Sequence, residues 1–369
     1  MNEINLVLLI LIIGLFFSIF YSFFQKENFA IPIKENFAIP IKENFAIPIK
    51  ENFAIPTNHE RPYVNVYDEK RNQLPIVLLS HPFTRDNSYK QHQQYKKDGF
   101  LILGISSYNE FPSITTNKHD VLNNSKEKAW TNYDYMKETD GWLHCFRDPK
   151  KHIAKSMPKT LLSESDFCNY DVYKPNPEIK KIYDFIYICP KDAGDSCDGW
   201  VSTNKNWDLA QKCIEVMCSK YKFKGLLVGR KGCKLSKSAE KLCHTTGFLS
   251  QLKLIEAYNQ SKFILIPNQS DASPRILTEA LCVNVPALVN YNIVGGWKYI
   301  NSQTGAFFSS MDDFDQGLNF IVRNYNRLQP RNNFITNFSY KVSGKKLKKF
   351  IEKHFRHKVD VSHCKYLTL

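Results

Sequence analysis

Residues 263–290 read FILIPNQSDASPRILTEALCVNVPALVN, and this stretch decides the fold class. The apolar run at 263–266 ends at Pro267, which is typical of a buried parallel strand. Ser273 suits the N-cap of a helix, Pro274 suits its first position, and apolar residues then recur at helical spacing. The stretch therefore predicts a strand, a polar turn, a helix that begins at about Pro274, and a second strand.

The predicted turn is suited to binding phosphate, because a helix begins where a parallel strand has just ended. The first N–H groups of a helix lack partners within it, and the helix dipole adds partial positive charge at that end. Such a place binds phosphate without a metal ion. Arg275 adds a fixed positive charge, while Asp271 in the turn and Glu279 in the helix can point at hydroxyl groups.

The same segment resembles a signature of the retaining GT-B glycosyltransferases of the glycosyl transferases group 1 type. That signature is a Glu, seven residues, a second Glu and an Ala, and here Asp271 is followed by ASPRILT and then Glu279-Ala280. The turn Asn284–Pro286 stands where the family has a small turn and Pro, and Gly295-Gly296 matches its double glycine after the next strand. The resemblance extends over about 183–308.

The resemblance implies a donor site for a UDP- or GDP-sugar in the C-terminal half. Glu279 would hold the ribose, Asp271 would hold hydroxyl groups of the transferred sugar, and the backbone N–H groups present within residues 273–275 would face the diphosphate. It also implies retention at the anomeric carbon and transfer without a metal ion or other cofactor. Two positions depart from the family, because Asp271 is one methylene shorter than Glu and Ala272-Ser273-Pro274 replaces Gly-Phe-Gly.

Basic residues near two further predicted strands are candidates to neutralise the diphosphate. The strands are predicted at 185–189 and 225–228 with a helix between them, and this order implies a parallel sheet whose ligands lie beyond its carboxyl ends. The family places a basic pair after the first strand of this domain, so the resemblance points to Lys191 and, in a long polar loop, Lys205. Arg230, which follows the second strand, is the competing candidate. The complete set of candidates comprises Asp271, Lys191 and Lys205 for catalysis, and Ser273, Pro274, Arg275, Glu279, Arg230, Gly295 and Gly296 for donor binding.

The length and composition fit a two-domain globular protein. The chain has 369 residues, of which 43% are hydrophobic and 23% charged, values that are ordinary for such proteins. The predicted fold class is α/β and GT-B-like, with two Rossmann-like domains of which the N-terminal one is short. The predicted parts are a transmembrane anchor (1–25), an octapeptide-repeat linker (26–57), an acceptor-side domain (58–182), a nucleotide-sugar-binding domain (183–335), and a basic C-terminal helix and tail (336–369).

The N-terminal segment is predicted to anchor the chain in a membrane. Residues Ile4–Gln25 carry no charge and are numerous enough to cross a bilayer. They lack a small-residue cleavage site, so we expect the segment to be retained. The octapeptide KENFAIPI then repeats in tandem from Lys26, and its regular prolines predict an extended spacer. The repeat either lifts the following domain from the membrane or is a tolerated duplication with no task.

The N-terminal half carries no motif that identifies an acceptor. Strands are predicted at 75–79 and 99–105, and the segment is short for an acceptor domain. His81 and His144 follow apolar runs, where an acceptor-side base could lie. A structural or surface role is the favoured interpretation of both histidines.

The C-terminal tail predicts a basic amphipathic helix. Basic residues crowd positions 345–358, and Leu347, Phe350, Ile351 and Phe355 form an opposing apolar stripe. The helix either contacts anionic headgroups or packs on the core with a solvated lysine face. Nucleic acid is not an expected partner, because no recognised nucleic-acid motif accompanies the pI of about 9.1.

The cysteines and charges bear on the compartment. The ten cysteines include no CxxC pair, so they predict no metal site, and their scatter suggests a reducing compartment. The sequons at Asn259 and Asn268 flank the predicted buried strand, where a glycan would disrupt the site. Lys26 and Lys34 after the anchor favour a single-pass protein with a cytoplasmic main domain. A lumenal orientation is the alternative.

The predicted function is that of a membrane-anchored glycosyltransferase acting on a glycan, lipid or protein acceptor. The altered turn at 272–274 and the short first domain leave a second hypothesis, a catalytically inactive GT-B-like module that binds a glycan or a partner. A basic scaffold at the membrane surface is the third.

Overall fold

The structure, a computed structural model, describes residues 62–83, 86–107, 110–112 and 133–369. The predicted anchor at 1–25 and the octapeptide linker at 26–57 lie outside these residues. Within the described part, no helix combines the length and the apolar character needed to cross a bilayer.

The first lobe is built on a five-stranded sheet with the strands in sequential order. β1 pairs with β2 in antiparallel fashion, and all the other pairs are parallel. The strands predicted at 75–79 and 99–105 are β2 and β3. The elements of this lobe are β1 (Tyr63–Tyr67), β2 (Gln73–Leu79), α1 (Asp86–Lys97), β3 (Leu101–Ile105), α2 (Tyr135–Glu138), β4 (Gly141–His144) and β5 (Lys159–Leu161).

The second lobe is built on a six-stranded sheet in which every pairing is parallel. Its strands are β6 (Tyr183–Ile188), β7 (Gly225–Val228), β8 (Cys243–Thr246), β9 (Ser261–Ile266), β10 (Ala287–Asn290) and β11 (Gly305–Phe308). The spatial order is β8-β7-β6-β9-β10-β11, so the chain winds outward from β6 in one direction and then from β9 in the other. Ligands of such doubly wound sheets bind beyond the carboxyl ends of the two central strands.

Helices cover both faces of the second sheet. They are α3 (Trp200–Asn204), α4 (Trp207–Ser219), α5 (Lys237–Leu242), α6 (Gln251–Asn259), α7 (Arg275–Cys282), α8 (Met311–Asn324) and α9 (Pro330–Asn337). Leu277 and Leu281 of α7 pack on one face, and Ile214 and Met217 of α4 pack on the other. The segment at 192–206 was predicted to be a polar loop, but it contains α3.

The C-terminal helix, α10 (Tyr340–Phe355), packs on the first sheet although it follows the second lobe in the chain. Leu347, Phe350 and Phe355 lie in one buried cluster with Ile76 and Leu103 of that sheet. The chain end then pairs with β1, since Tyr67 and Thr368 exchange backbone hydrogen bonds of 2.8 and 2.9 Å. The apolar stripe is therefore buried against the core, and the lysine face is left to solvent.

A disulfide joins the loops that follow β6 and β7. Cys197 and Cys233 form it across 36 positions of sequence, and the other eight cysteines are free. The scattered cysteines did not predict this pairing, because the two residues approach only when β6 and β7 lie side by side.

Replacing both disulfide cysteines with serine should lower the free energy of unfolding by about 3–4 kcal/mol, because the cross-link restricts the unfolded chain. Urea denaturation without reductant measures this loss. Reductant should destabilise the wild-type chain by a similar amount and leave the double variant unchanged. Equal stability of the wild-type chain with and without reductant would contradict the prediction.

Candidate active site

Asp271 lies in the turn between β9 and α7, at the carboxyl end of a central strand. The residue is 7% exposed. The ammonium of Lys205 forms an ion pair with Oδ2 of Asp271, and Nδ2 of Asn268 donates to the same oxygen at 2.8 Å. The backbone N–H of Ser273 donates to Oδ1 at 3.2 Å. Three donors therefore fix the carboxylate at the place where a doubly wound sheet binds its ligand.

Lys205 reaches Asp271 because α3 turns its loop back toward β9. Lys205 follows the last residue of α3, and its side chain is 19% exposed. The next residue, Asn206, donates its side-chain amide to the carbonyl of Pro267 at 3.2 Å. This bond ties the loop to the end of β9. The structure thus brings together two of the predicted catalytic residues, which lie 66 positions apart in the sequence.

The other two basic candidates have partners within the protein. Nζ of Lys191 lies 3.5 Å from the carboxylate of Asp195 in its own loop. Arg230 is fully buried. Its guanidinium donates to the carbonyl of Pro190 at 3.1 Å and to Ser202 Oγ at 2.9 Å. Arg230 therefore holds the loop after β6 against α3, and Lys205 is the basic candidate that contacts Asp271.

Glu279 lies in α7 and is almost completely enclosed. Its two oxygens accept hydrogen bonds from the hydroxyls of Tyr258, at 2.9 Å, and Tyr173, at 3.0 Å. Burial raises the pKa of Glu279, and this effect outweighs the two tyrosine hydrogen bonds and the charges of Arg275 and Lys205, which lower it. Sequence reasoning missed both tyrosines. Tyr173 lies in the chain segment that connects the two sheets, 106 positions from Glu279, so no local pattern marks it.

The raised pKa of Glu279 makes stability depend on pH. The protonated carboxyl stabilises the fold below its ordinary pKa of 4.5, and this contribution is lost as the pH rises through the higher pKa of the folded state. The wild-type chain should therefore lose stability relative to Glu279→Gln as the pH rises from 4.5. Urea denaturation of both proteins across this range checks the trend. Glu178→Gln, at an exposed site, is the matched control. A difference in stability between Glu279→Gln and wild type that does not change with pH would contradict the prediction.

The start of α7 differs by one residue from the prediction. The helix begins at Arg275 with Pro274 at the N-cap, and no side chain caps it. The predicted cap by Ser273 is wrong, because its hydroxyl instead accepts from the backbone N–H of Ser165 at 2.9 Å and lies 3.1 Å from Ser165 Oγ. Arg275 is exposed.

The double glycine packs against the turn that carries Asp271. The N–H of Gly295 donates to the carbonyl of Asp271 at 2.9 Å. A Cβ atom on Gly295 would lie 1.8 Å from the carbonyl oxygen of Ala272, and one on Gly296, which has a φ of +81°, would lie 2.5 Å from Pro274. These glycines therefore allow close approach of two backbone segments and so shape the turn.

Residues after β4 bring the first lobe into contact with the second. Trp297 donates its indole N–H to the carbonyl of Cys145 at 2.8 Å. The guanidinium of Arg147 donates to the carbonyl of Ile293 at 3.3 Å and lies 4.5 Å from the ring centre of Tyr291. The loops after β4 and β10 therefore close on each other beside the Asp271 turn.

The two candidate histidines lie in the first lobe. Burial, together with the charges of Lys298, Lys346 and Lys159, lowers the pKa of His144 to about 4. His144 is therefore neutral at neutral pH. The Nδ1 atom of His81 lies 2.9 Å from the carbonyl of Pro82.

A buried ion pair crosses from the segment between the sheets to the loop after β10. The ammonium of Lys298 lies 2.5 Å from the carboxylate of Asp166, and the two side chains are 7% and 1% exposed. The same carboxylate oxygen accepts from the backbone N–H of Ser163 at 2.6 Å. No local pattern marks this pair, because its members lie 132 positions apart. Across the described residues, no cluster of three or more His, Cys, Asp and Glu side chains is arranged to hold a metal ion.

Three solved structures share this arrangement of two α/β lobes. Sucrose-phosphate synthase from Thermosynechococcus elongatus matches at 11% identity and a TM-score of 0.51, over 73% of this chain and 71% of that chain. Alr3699/HepE from Anabaena, in complex with UDP, matches at 8% identity and a TM-score of 0.51, over 71% and 75%. The third is TarM, at 13% identity and a TM-score of 0.50, over 70% and 53%.

The chain has the GT-B fold. The GT-B resemblance predicted from the Asp271–Ala280 signature is thus confirmed at the level of the fold. The chain spans about half the length of TarM, whose matched share is 53%. No protein-family model matches the sequence, and neither does any curated protein. In this GT-B fold, the second lobe contributes Asp271, Lys205 and Glu279 to the candidate site. The first lobe contributes the loop after β4.

Proposed function

We propose that the chain is a glycosyltransferase that moves a sugar from a UDP- or GDP-sugar donor to an acceptor. The observation that carries this proposal is the convergence of Lys205 and Asn268 on the Asp271 carboxylate, beyond the carboxyl ends of the central strands. Doubly wound sheets bind nucleotides at this place. The similarity to a GT-B structure solved with UDP supports the same ligand class here.

The residues of the second lobe supply binding and charge. The first N–H groups of α7 and the ammonium of Lys205 offset the negative charge that develops on the leaving diphosphate. Asp271 accepts hydrogen bonds from hydroxyls of the transferred sugar, and Glu279 accepts from the ribose. Lys205 thereby lies between the two charged groups of the reaction, the sugar-binding carboxylate and the diphosphate. Transfer proceeds with retention and without a metal ion.

The membrane anchor at 1–25 and the spacer at 26–57 belong to the same proposal, and they hold the enzyme near its acceptor. Separate observations support a cytoplasmic and a lumenal orientation of the main domain. The lysines after the anchor favour a cytoplasmic main domain, whereas the Cys197–Cys233 disulfide supports the lumenal alternative. The acceptor is a glycan, a lipid or a protein that reaches the first lobe.

Calorimetric titration with a panel of UDP- and GDP-sugars tests the donor site. All the described residues belong to one compact unit that begins at Ile49, so the protein from Ile49 onward is suitable. We expect one donor class to bind and the Glu279→Ala variant to bind it more weakly. Glu178→Ala, at an exposed site, should bind as the wild type does. A folded protein that binds no donor would overturn the proposal.

A second candidate function is a non-catalytic GT-B-like module that binds a glycan or a partner. The contacts of Ser273 favour it, because its N–H donates to Asp271 and its hydroxyl accepts from Ser165, so both groups already have partners within the protein. Donor binding without release of UDP or GDP in the presence of glycan, lipid or protein acceptors would support this module over the enzyme.

A further inference from the structure

The outer face of α10 carries a stripe of cations, hereafter the basic stripe. Its members are Lys345, Lys349, Lys353 and Arg356, which recur at helical spacing and are all exposed. None of the four forms an ion pair with a described carboxylate, although the neighbouring Lys348 and Lys358 pair with Glu352 and Asp140 at 3.5 and 2.5 Å. The basic stripe is therefore a row of positive charges without an ion-pair partner among the described residues.

The helix that carries the basic stripe is fixed in place. Its opposite face is buried in the first lobe through Leu347, Ile351 and Phe355. The chain end packs so closely that a Cβ atom on Gly344 would lie 2.0 Å from the carbonyl oxygen of Leu367. The stripe spans about 16 Å at the rise of an α-helix. Because the helix is ordered already, presenting its charges to a ligand requires no further folding.

The buried apolar face limits what the helix can do at a membrane. A free amphipathic helix inserts its apolar face among the acyl chains, but here that face is covered by the first sheet. Contact with a bilayer through α10 must therefore be electrostatic and confined to the headgroups. Such contact is selective for anionic lipids and weakens as salt increases.

We propose that the basic stripe docks the first lobe on a membrane surface that carries anionic lipids. Charge complementarity supports this partner, since the stripe is unpaired and the whole chain has a net charge of +14. The uncharged run Ile4–Gln25 also predicts that the chain is attached to a bilayer. This docking is independent of donor binding.

Co-sedimentation of the protein from Ile49 onward with lipid vesicles tests the docking, because this protein lacks the predicted anchor. We expect binding to vesicles of phosphatidylcholine with phosphatidylserine at low salt, loss of binding at high salt, and no binding to phosphatidylcholine alone. Replacing all four stripe residues with Gln should reduce partitioning by about fivefold per residue, and thus by several hundredfold at most.

A matched control variant replaces four exposed lysines of the second lobe with Gln. These residues carry no ion pair among the described carboxylates, and their loss changes the net charge by the same amount: Lys212, Lys234, Lys237 and Lys241. The control should keep most of the vesicle binding, and circular dichroism should show both variants folded. Equal losses in the two variants would overturn the docking site in favour of net charge alone.

Two further outcomes would also overturn the proposal. Binding to neutral vesicles as strong as binding to anionic ones would show that the contact is not electrostatic. Binding to a random-sequence DNA duplex with no binding to either vesicle would assign the basic stripe to nucleic acid. Donor titration of the stripe variant should match the wild type, so a failure of the docking site remains separate from a failure of the proposed transferase.

Discussion

The Asp271→Asn variant is expected to lose sugar transfer while it retains the fold. The substitution keeps the shape of the side chain but removes the charge that pairs with Lys205 and accepts from Asn268. Under the proposed function, Lys205 then has no carboxylate to fix it beside the diphosphate, and the sugar hydroxyls lose a charged acceptor. Preorganised electrostatic groups at a reacting centre each contribute a rate factor of about a hundred to a thousand. We therefore expect a loss of at least about a hundredfold in kcat/KM.

Release of UDP or GDP from the donor that binds in the titration measures this loss. The matched control is Asp195→Asn, which also removes one negative charge. The carboxylate of Asp195 is exposed and pairs with Lys191 within the loop after β6. This variant should retain most of the activity. Turnover at the wild-type rate by Asp271→Asn would remove Asp271 from the reaction, and unfolding of that variant would show that its role is structural.

The Asp166→Asn variant is expected to lose about 3–5 kcal/mol of unfolding free energy, because it leaves the Lys298 ammonium buried without a counter-charge. Lys298 is 7% exposed, and Asp166 is its ion-pair partner. Urea denaturation measures the loss. The double variant Asp166→Asn/Lys298→Met should recover part of it, since removing the second charge also removes the cost of burying it alone.

A surface pair provides the comparison for this effect. Glu256 pairs with Lys253 at 2.9 Å, and the two side chains are 42% and 68% exposed. Glu256→Gln should therefore change the unfolding free energy by no more than about 1 kcal/mol. If Asp166→Asn were no more costly than Glu256→Gln, the Asp166–Lys298 pair would have to be solvated, contrary to its burial.

Local sequence patterns were sufficient to predict the central strand of the second lobe and the turn and helix that follow it. The run at 263–266 is β9, and the following turn and helix carry Asp271 and Glu279 as predicted. These elements are specified by residues within a few positions of each other, so periodicity and turn chemistry reveal them. The GT-B fold followed from the same short segment.

The features that the sequence did not predict are pairings between distant positions. The choice of Lys205 as the partner of Asp271, the tyrosine hydroxyls on Glu279 and the disulfide all join residues from different elements. The error at Ser273 has the same cause, because Ser165, 108 positions away, takes the hydroxyl that would have capped α7. A local pattern does not include hydrogen-bond partners that tertiary folding brings from distant parts of the chain.

The return of α10 to the first sheet has a consequence for the order in which the chain is made. Ile76 and Leu103 are synthesised before the second lobe, but Leu347, Phe355 and Leu367, which cover them, are synthesised only after it. During synthesis the first lobe therefore keeps an apolar sheet face uncovered until the second lobe is complete. An exposed face of this kind attracts chaperones and promotes aggregation. The first lobe thus becomes native only after the second lobe has been synthesised.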